Sequence, residues 1–135
     1  MSTPLPELTE AEWAIIKAVW ELEPCAAPSV QEHLHPTMNW TYSTVRTLMD
    51  RMVAKGLLSA EKIRNLTLYR AAVTRQQAQL GELRYTLKHA FDGALKPLVE
   101  TLLASEKLST ADLDELQSLI DARRKDSTRP PKSKR

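Results

Sequence analysis

One stretch, WTYSTVRTLMDRMVAKGLL at residues 40–58, constrains the fold more than any other. Val45, Leu48, Met49, Met52 and Val53 fall at i, i+3, i+4, i+7 and i+8, so a helix here has one apolar stripe to lay against a core. The opposite face carries Ser43, Arg46, Thr47 and Asp50, with Arg51 and Lys55 on its flank. Thr41 suits the N-cap because its hydroxyl accepts from a first-turn N–H that has no helical partner. Gly56 stands where a left-handed residue ends a helix, and Lys55 suits the negative end of the dipole. The helix is therefore delimited at both ends and half buried. It shows water short polar groups and arginine, a face that fits a groove of nucleic acid.

The rest of the chain supplies elements to pack around it. LTEAEW at residues 8–13 is a helix start: Thr9 and Glu12 form a capping box, and Leu8 and Trp13 are placed as a hydrophobic staple. The stripe Trp13, Ile16 and Trp20, widened by Ile15, Val19 and Leu22, reads as core, and Pro24 stops the helix. Pro28 to Leu34 form a short second helical segment that Pro36 breaks. After Gly56, residues 57–62 and 66–72 read as two short strands, the second alternating Thr67-Tyr69-Ala71 against Leu66-Leu68-Arg70, with Asn65 the turn former between them and Lys62 and Arg64 at the tip. Three helices and a basic hairpin make a winged helix-turn-helix, mainly α, over residues 1–73.

Residues 74–122 change character. Thr74 and Gln77 make another capping box, followed by a stripe of Leu80, Leu83 and Leu87. Phe91, Leu95, Leu98 and Leu102 form a second stripe after a break near Asp92-Gly93. Leu108 to Leu113 repeat the first helix-start signature, with Leu116, Leu119 and Ile120 beyond. These helices span too few residues to enclose a core alone. They read as an arm interleaved with a second copy; the alternative is a bundle leaning on the first domain. Residues 123–135, RRKDSTRPPKSKR, have no apolar period and read as a disordered basic tail. It either adds sequence-independent attraction to phosphates or aids solubility.

The net charge of +2 conceals a division along the chain. Residues 1–39 sum to −5, residues 40–75 to +5, residues 76–122 to −4 and the tail to +6. Positive charge thus coincides with the exposed face at 40–58 and the hairpin. Catalysis finds no support: there is no glycine-rich phosphate loop, nucleophile elbow or HExxH, and His33, His35 and His89 are scattered. One cysteine, Cys25, excludes an intramolecular disulfide and reads as a small buried residue. No metal or cofactor is expected. With no signal peptide and no membrane-length apolar run, the chain reads as cytoplasmic and not membrane-associated.

LTEAEW at 8–13, the Trp-Thr-x-x-Thr-Val-x-Thr-Leu run at 40–48, Arg51 and Lys55-Gly56 resemble the penicillinase-repressor family (BlaI/MecI/CopY type). The resemblance continues through Tyr69 and into Phe91-Asp92-Gly93. It implies a dimeric repressor that binds a palindromic duplex DNA operator through two third helices, and a helical dimerisation arm over residues 74–122. On this basis Ser43, Arg46 and Thr47 are expected in the major groove, with Thr41, Tyr42, Thr44 and Arg51 on phosphates and Lys62 and Arg64 in the wing. Ser43 stands where lysine is common in the family, and Tyr42 where proline is common. The resemblance also implies release by a membrane-bound sensor protease that cuts the arm; Ala90-Phe91 is the nearest match to such a junction. No cysteine follows Cys25, so the C-terminal cysteine motif of the copper-responsive relatives is missing. The alternative is a winged-helix protein-interaction module that does not touch DNA.

Overall fold

Thr9 and Glu12 start the first helix reciprocally: the Thr9 N–H donates to Glu12 Oε1 at 2.9 Å, and the Glu12 N–H to Thr9 Oγ1 at 3.2 Å. From this cap the computed structural model, which describes residues 5–105 and 107–127, runs α1 (Glu10–Leu22), α2 (Ala27–Met38), α3 (Tyr42–Ala54), β1 (Leu58–Ile63), β2 (Leu66–Ala71), α4 (Arg75–Phe91), α5 (Leu95–Ser105) and α6 (Thr110–Ser127). The chain divides into two compact units, one through Asp92 and one from Gly93.

The first unit is a winged helix. Its core takes Ile15, Ile16 and Val19 from α1, Val30 and Leu34 from α2, and Val45, Met49 and Met52 from α3. Leu57, Leu58 and Tyr69 close it from the sheet side. The two strands pair antiparallel, from Leu58 opposite Ala71 to Ile63 opposite Leu66. A backbone bridge adds Cys25 to the Tyr69 edge: the Cys25 N–H donates to the Tyr69 carbonyl at 3.1 Å, and the Tyr69 N–H returns the bond at 2.7 Å. Cys25 is buried, as its small apolar character implied.

Four local expectations need correcting. Pro36 does not break the second helix, which continues to Met38. Pro36 and Glu32 are both exposed, so the carbonyl that Pro36 leaves without a helical partner can take water. Asn39 ends the helix instead, in a left-handed conformation with φ 54°. Trp13 and Trp20 are only partly buried. They line the seam with α4, where the Trp13 Nε1 donates to Glu82 at 3.2 Å and the Trp20 Nε1 to the Val73 carbonyl at 3.1 Å. The Arg75 guanidinium lies 4.6 Å from the Trp20 ring centroid, close enough for a cation–π contact.

The third correction follows from that seam: the first unit extends well past residue 73 because α4 docks on it. Ala78 is fully buried, and Gly81 passes directly under the Pro6 backbone carbonyl, where a Cβ would collide. Gly81→Ala gains up to about 1 kcal/mol of helix propensity, whereas the overlap with backbone costs roughly 1–3 kcal/mol. The expected outcome is a lower melting temperature and faster proteolysis before Thr9; an unchanged melting curve would show that the Pro6 segment moves aside freely.

The second unit contains α5 and α6. Ser109 and Asp112 cap α6 reciprocally, each backbone N–H meeting the other's side chain at 3.0 Å. This is the repeated start signature. The fourth correction concerns the tail: residues 123–127 are helical, with Arg124 and Lys125 in the last turn of α6, where cations oppose the dipole. The remainder of the tail, 128–135, lies outside the described residues. No described residue of α5 or α6 is buried. Leu95, Leu102, Leu113, Leu119 and Ile120 all face outward.

Candidate nucleic-acid interface

Both ends of α3 are fixed by the residues that the sequence places there. At the N-terminus Thr41 Oγ1 accepts from the Thr44 N–H at 3.2 Å, and its hydroxyl lies 3.2 Å from Ser43 Oγ and 3.1 Å from Thr44 Oγ1. At the C-terminus Gly56 takes φ 83°. Its N–H donates to the Val53 carbonyl at 3.0 Å and that of Leu57 to Met52 at 2.8 Å, the paired bonds of a Schellman ending. The helix is also pinned to α1. Lys55 Nζ lies 2.6 Å from Glu12 Oε2, and Glu12 is buried. Burial pushes the Glu12 carboxyl up, but the Lys55 ammonium and the Thr9 N–H outweigh it and hold the group below the usual carboxylate range.

So anchored, α3 buries Val45, Met49 and Met52 and turns Thr41, Tyr42, Ser43, Thr44, Thr47 and Arg51 to solvent. The first turn holds no acidic side chain. Its free N–H groups and the positive end of the dipole form an anion-binding end, suited to a phosphate. The hairpin adds cations beside it. Lys62 stands opposite Thr67 in the ladder, and Arg64 occupies the two-residue turn. Arg64 carries the positive φ of that turn, 58°, although Asn65 is the residue whose type suggested it.

Arg46 is the exception to the open face. Its Nε lies 3.2 Å from Asp50 Oδ2 and 3.3 Å from Oδ1, and its Nη1 donates to the Tyr42 hydroxyl at 3.2 Å. Asp50 in turn accepts from the Tyr69 hydroxyl at 2.9 Å. A chain of hydrogen bonds thus runs from the core residue Tyr69 to the tip of the exposed face. Tyr42, Arg46 and Asp50 lie at i, i+4 and i+8, so the ladder along α3 was visible in the spacing; its Tyr69 anchor was not.

The expected arm residues fall in both units. Leu80 and Leu83 are exposed on α4, while Leu87 and Phe91 are half-buried near its end. Leu98 on α5 and Leu116 on α6 are likewise half-buried. Among the described residues no group of three or more histidine, cysteine or acidic side chains is placed to hold a metal ion. No helix among them is long and apolar enough to cross a membrane.

Comparison with known proteins adds to this geometry. The family model described as penicillinase repressor matches residues 8–122. The chain belongs to the penicillinase repressor family. Among curated relatives, an uncharacterised 16.5 kDa protein from Latilactobacillus sakei is 30% identical over 126 residues, covering 93% of this chain and 85% of the relative. The methicillin resistance regulatory protein MecI of Staphylococcus aureus is 23% identical, over 85% of this chain and 94% of MecI. Among solved structures, that of the Bacillus licheniformis BlaI monomer in complex with the blaP half-operator is matched over 54% of this chain and 89% of the chain in that structure. Its identity is 23% and its TM-score 0.48.

Proposed function

We propose that this family member is a cytoplasmic transcriptional repressor that binds a duplex DNA operator as a homodimer. The observation that carries the proposal is α3 itself. It is capped at both ends and pinned through Lys55 to a buried carboxylate, and it presents an open N-terminal turn with hydroxyls and arginines beside a basic hairpin. Ser43, Arg46 and Thr47 are the groups suited to base edges, and Thr41, Tyr42, Thr44 and Arg51 to phosphates. Lys62 and Arg64 flank the backbone from the wing. A protein-docking module would need an apolar or acidic face here, and this one is neither.

Two-fold pairing of such domains requires two matching half-sites, with centres about 10–10.5 base pairs or a multiple apart. Footprinting on the DNA upstream of the chain's own gene is expected to show two such protected segments, weakened steeply by added salt. Absent protection, or protection that ignores sequence, would remove the proposal.

Release by a membrane-bound sensor protease is the finer part of the same proposal. Its support is local: α4 ends at Phe91, and Asp92 and Gly93 both take positive φ in an exposed break before α5. Incubation with the cognate sensor protease is expected to cut between residues 85 and 95; an intact chain rules this route out.

A further inference from the structure

Asp50 is the only acidic residue on a helix face otherwise suited to polyanion. A carboxylate there repels phosphate, so its presence calls for a use. Its bonds supply one. Oδ1 is held at 2.9 Å by the hydroxyl of Tyr69, a fully buried residue whose backbone is bonded in both directions to Cys25. The same carboxylate holds Arg46 Nε at 3.2 and 3.3 Å, and Tyr42 holds Nη1 from the other side. The guanidinium is therefore gripped at two of its nitrogens while remaining 40% exposed as a side chain. Of the five N–H donors of an arginine, three stay free, including both on Nη2.

We infer that Asp50 is a positioning residue for base reading: it fixes the guanidinium of Arg46 so that the free donors meet one base pair. This rests on the DNA-binding proposal above and extends it. An unrestrained arginine on a groove-facing helix has many rotamers and an abundance of phosphate oxygens within reach, and phosphate contacts carry no sequence information. A fork held in one plane by a carboxylate anchored to the core loses little further freedom on meeting a guanine O6/N7 edge. The negative charge lowers the phosphate attraction common to all DNA, while the fixed fork makes its full contact only at the matching base pair, and it is this second effect that raises the ratio of specific to non-specific binding. Tyr69 keeps its proton well beyond neutral pH, so the anchor stays a donor.

The test uses the full chain. Duplexes enriched from a random-sequence pool by the wild-type protein serve as the specific probe, and the unselected pool as the non-specific one. Asp50→Ala, Asp50→Asn, Arg46→Ala and the Asp50→Ala/Arg46→Ala double variant are compared on both probes, with melting temperatures as the folding control.

Asp50→Ala is expected to lower the specific-to-random affinity ratio about tenfold, the scale of one well-formed arginine–guanine contact, while random-pool affinity holds or rises. Selection repeated with Asp50→Ala should relax preference at the base pair that Arg46→Ala relaxes, and the double variant should fall no further than Arg46→Ala alone. Asp50→Asn, which keeps an acceptor but loses the charge, should fall between. A ratio equal to wild type, additive losses, or relaxation at a different base pair, as when Asp50 itself reads cytosine, overturns the inference. Equal loss on both probes overturns it in favour of a structural role. Should the wild-type protein enrich no sequence, the DNA-reading proposal itself falls, and this one with it.

Discussion

Leu119→Glu combined with Ile120→Glu is expected to convert a two-chain particle into a single chain of 15.3 kDa and to weaken binding to a two-half-site duplex by about 10²–10⁴-fold. Both side chains are among the most exposed apolar groups in the molecule, at 67% and 50%. Both are exposed within one chain, so the substitution acts mainly where a second copy covers them. Burying two such residues contributes roughly 1.5–3 kcal/mol each, and burying unpaired carboxylates in their place costs several kcal/mol more. A dimer of ordinary strength does not survive that combination.

The second unit gives the reason to expect a dimer. Its helices have 11 and 18 residues and bury none of those described. Leu102, Leu108, Leu116 and Leu119 line an open apolar groove between them. An isolated helix of 11 residues is marginal in water, and helices in proteins draw most of their stability from packing an apolar face. Losing the partner releases one winged helix from the other, so the second half-site no longer binds at high effective concentration. Sedimentation of wild type and variant, with titrations on whole and half operators, decides the matter. A wild-type chain that sediments alone, or a variant that stays paired, would remove the arm from the account.

How much was legible in the chain depended on how local the cause was. Thr41 and Gly56 bound α3 because capping is decided within four residues, and the boxes at Thr9, Thr74 and Ser109 form for the same reason. Local rules failed where several residue types can satisfy one requirement. A two-residue hairpin needs a positive φ, and the register places it on Arg64 rather than on Asn65. Pro36 is tolerated because it falls in the last turn on an exposed face. Helical periodicity showed that Trp13 and Trp20 face inward, but not that α4, some sixty residues later, is what they face. The Asp50–Tyr69 bond has no sequence signal, since a helix and a strand 19 residues apart meet there only once the fold exists. Of the candidate site, the exposed face and the spacing of the ladder along α3 were legible, and the Tyr69 bond that anchors the ladder was not.

Tyr69→Ala is expected to remove about 3–5 kcal/mol of stability, the range for truncating a buried aromatic, and so most of what a small domain typically has. Tyr69→Phe separates packing from the hydroxyl. It keeps the ring in the core and forfeits only the bond to Asp50, whose exposed carboxylate recovers water; a loss of about 1–2 kcal/mol follows. Alkali isolates the same group. Burial, and then the bond to Asp50, push the Tyr69 phenol up to about 12 from an ordinary value of 10, with Arg46 opposing them.

A proton held more tightly in the folded chain stabilises it fully below the unfolded value. That stabilisation is lost as pH rises from about 10 through about 12 and amounts to about 2–3 kcal/mol. Wild-type stability should therefore fall across this window, and Tyr69→Phe, which has no proton to lose there, should fall less. Urea melts of both chains at pH 8 and pH 11.5 provide the measurement, and parallel declines would mean that the phenol is not held as the geometry shows.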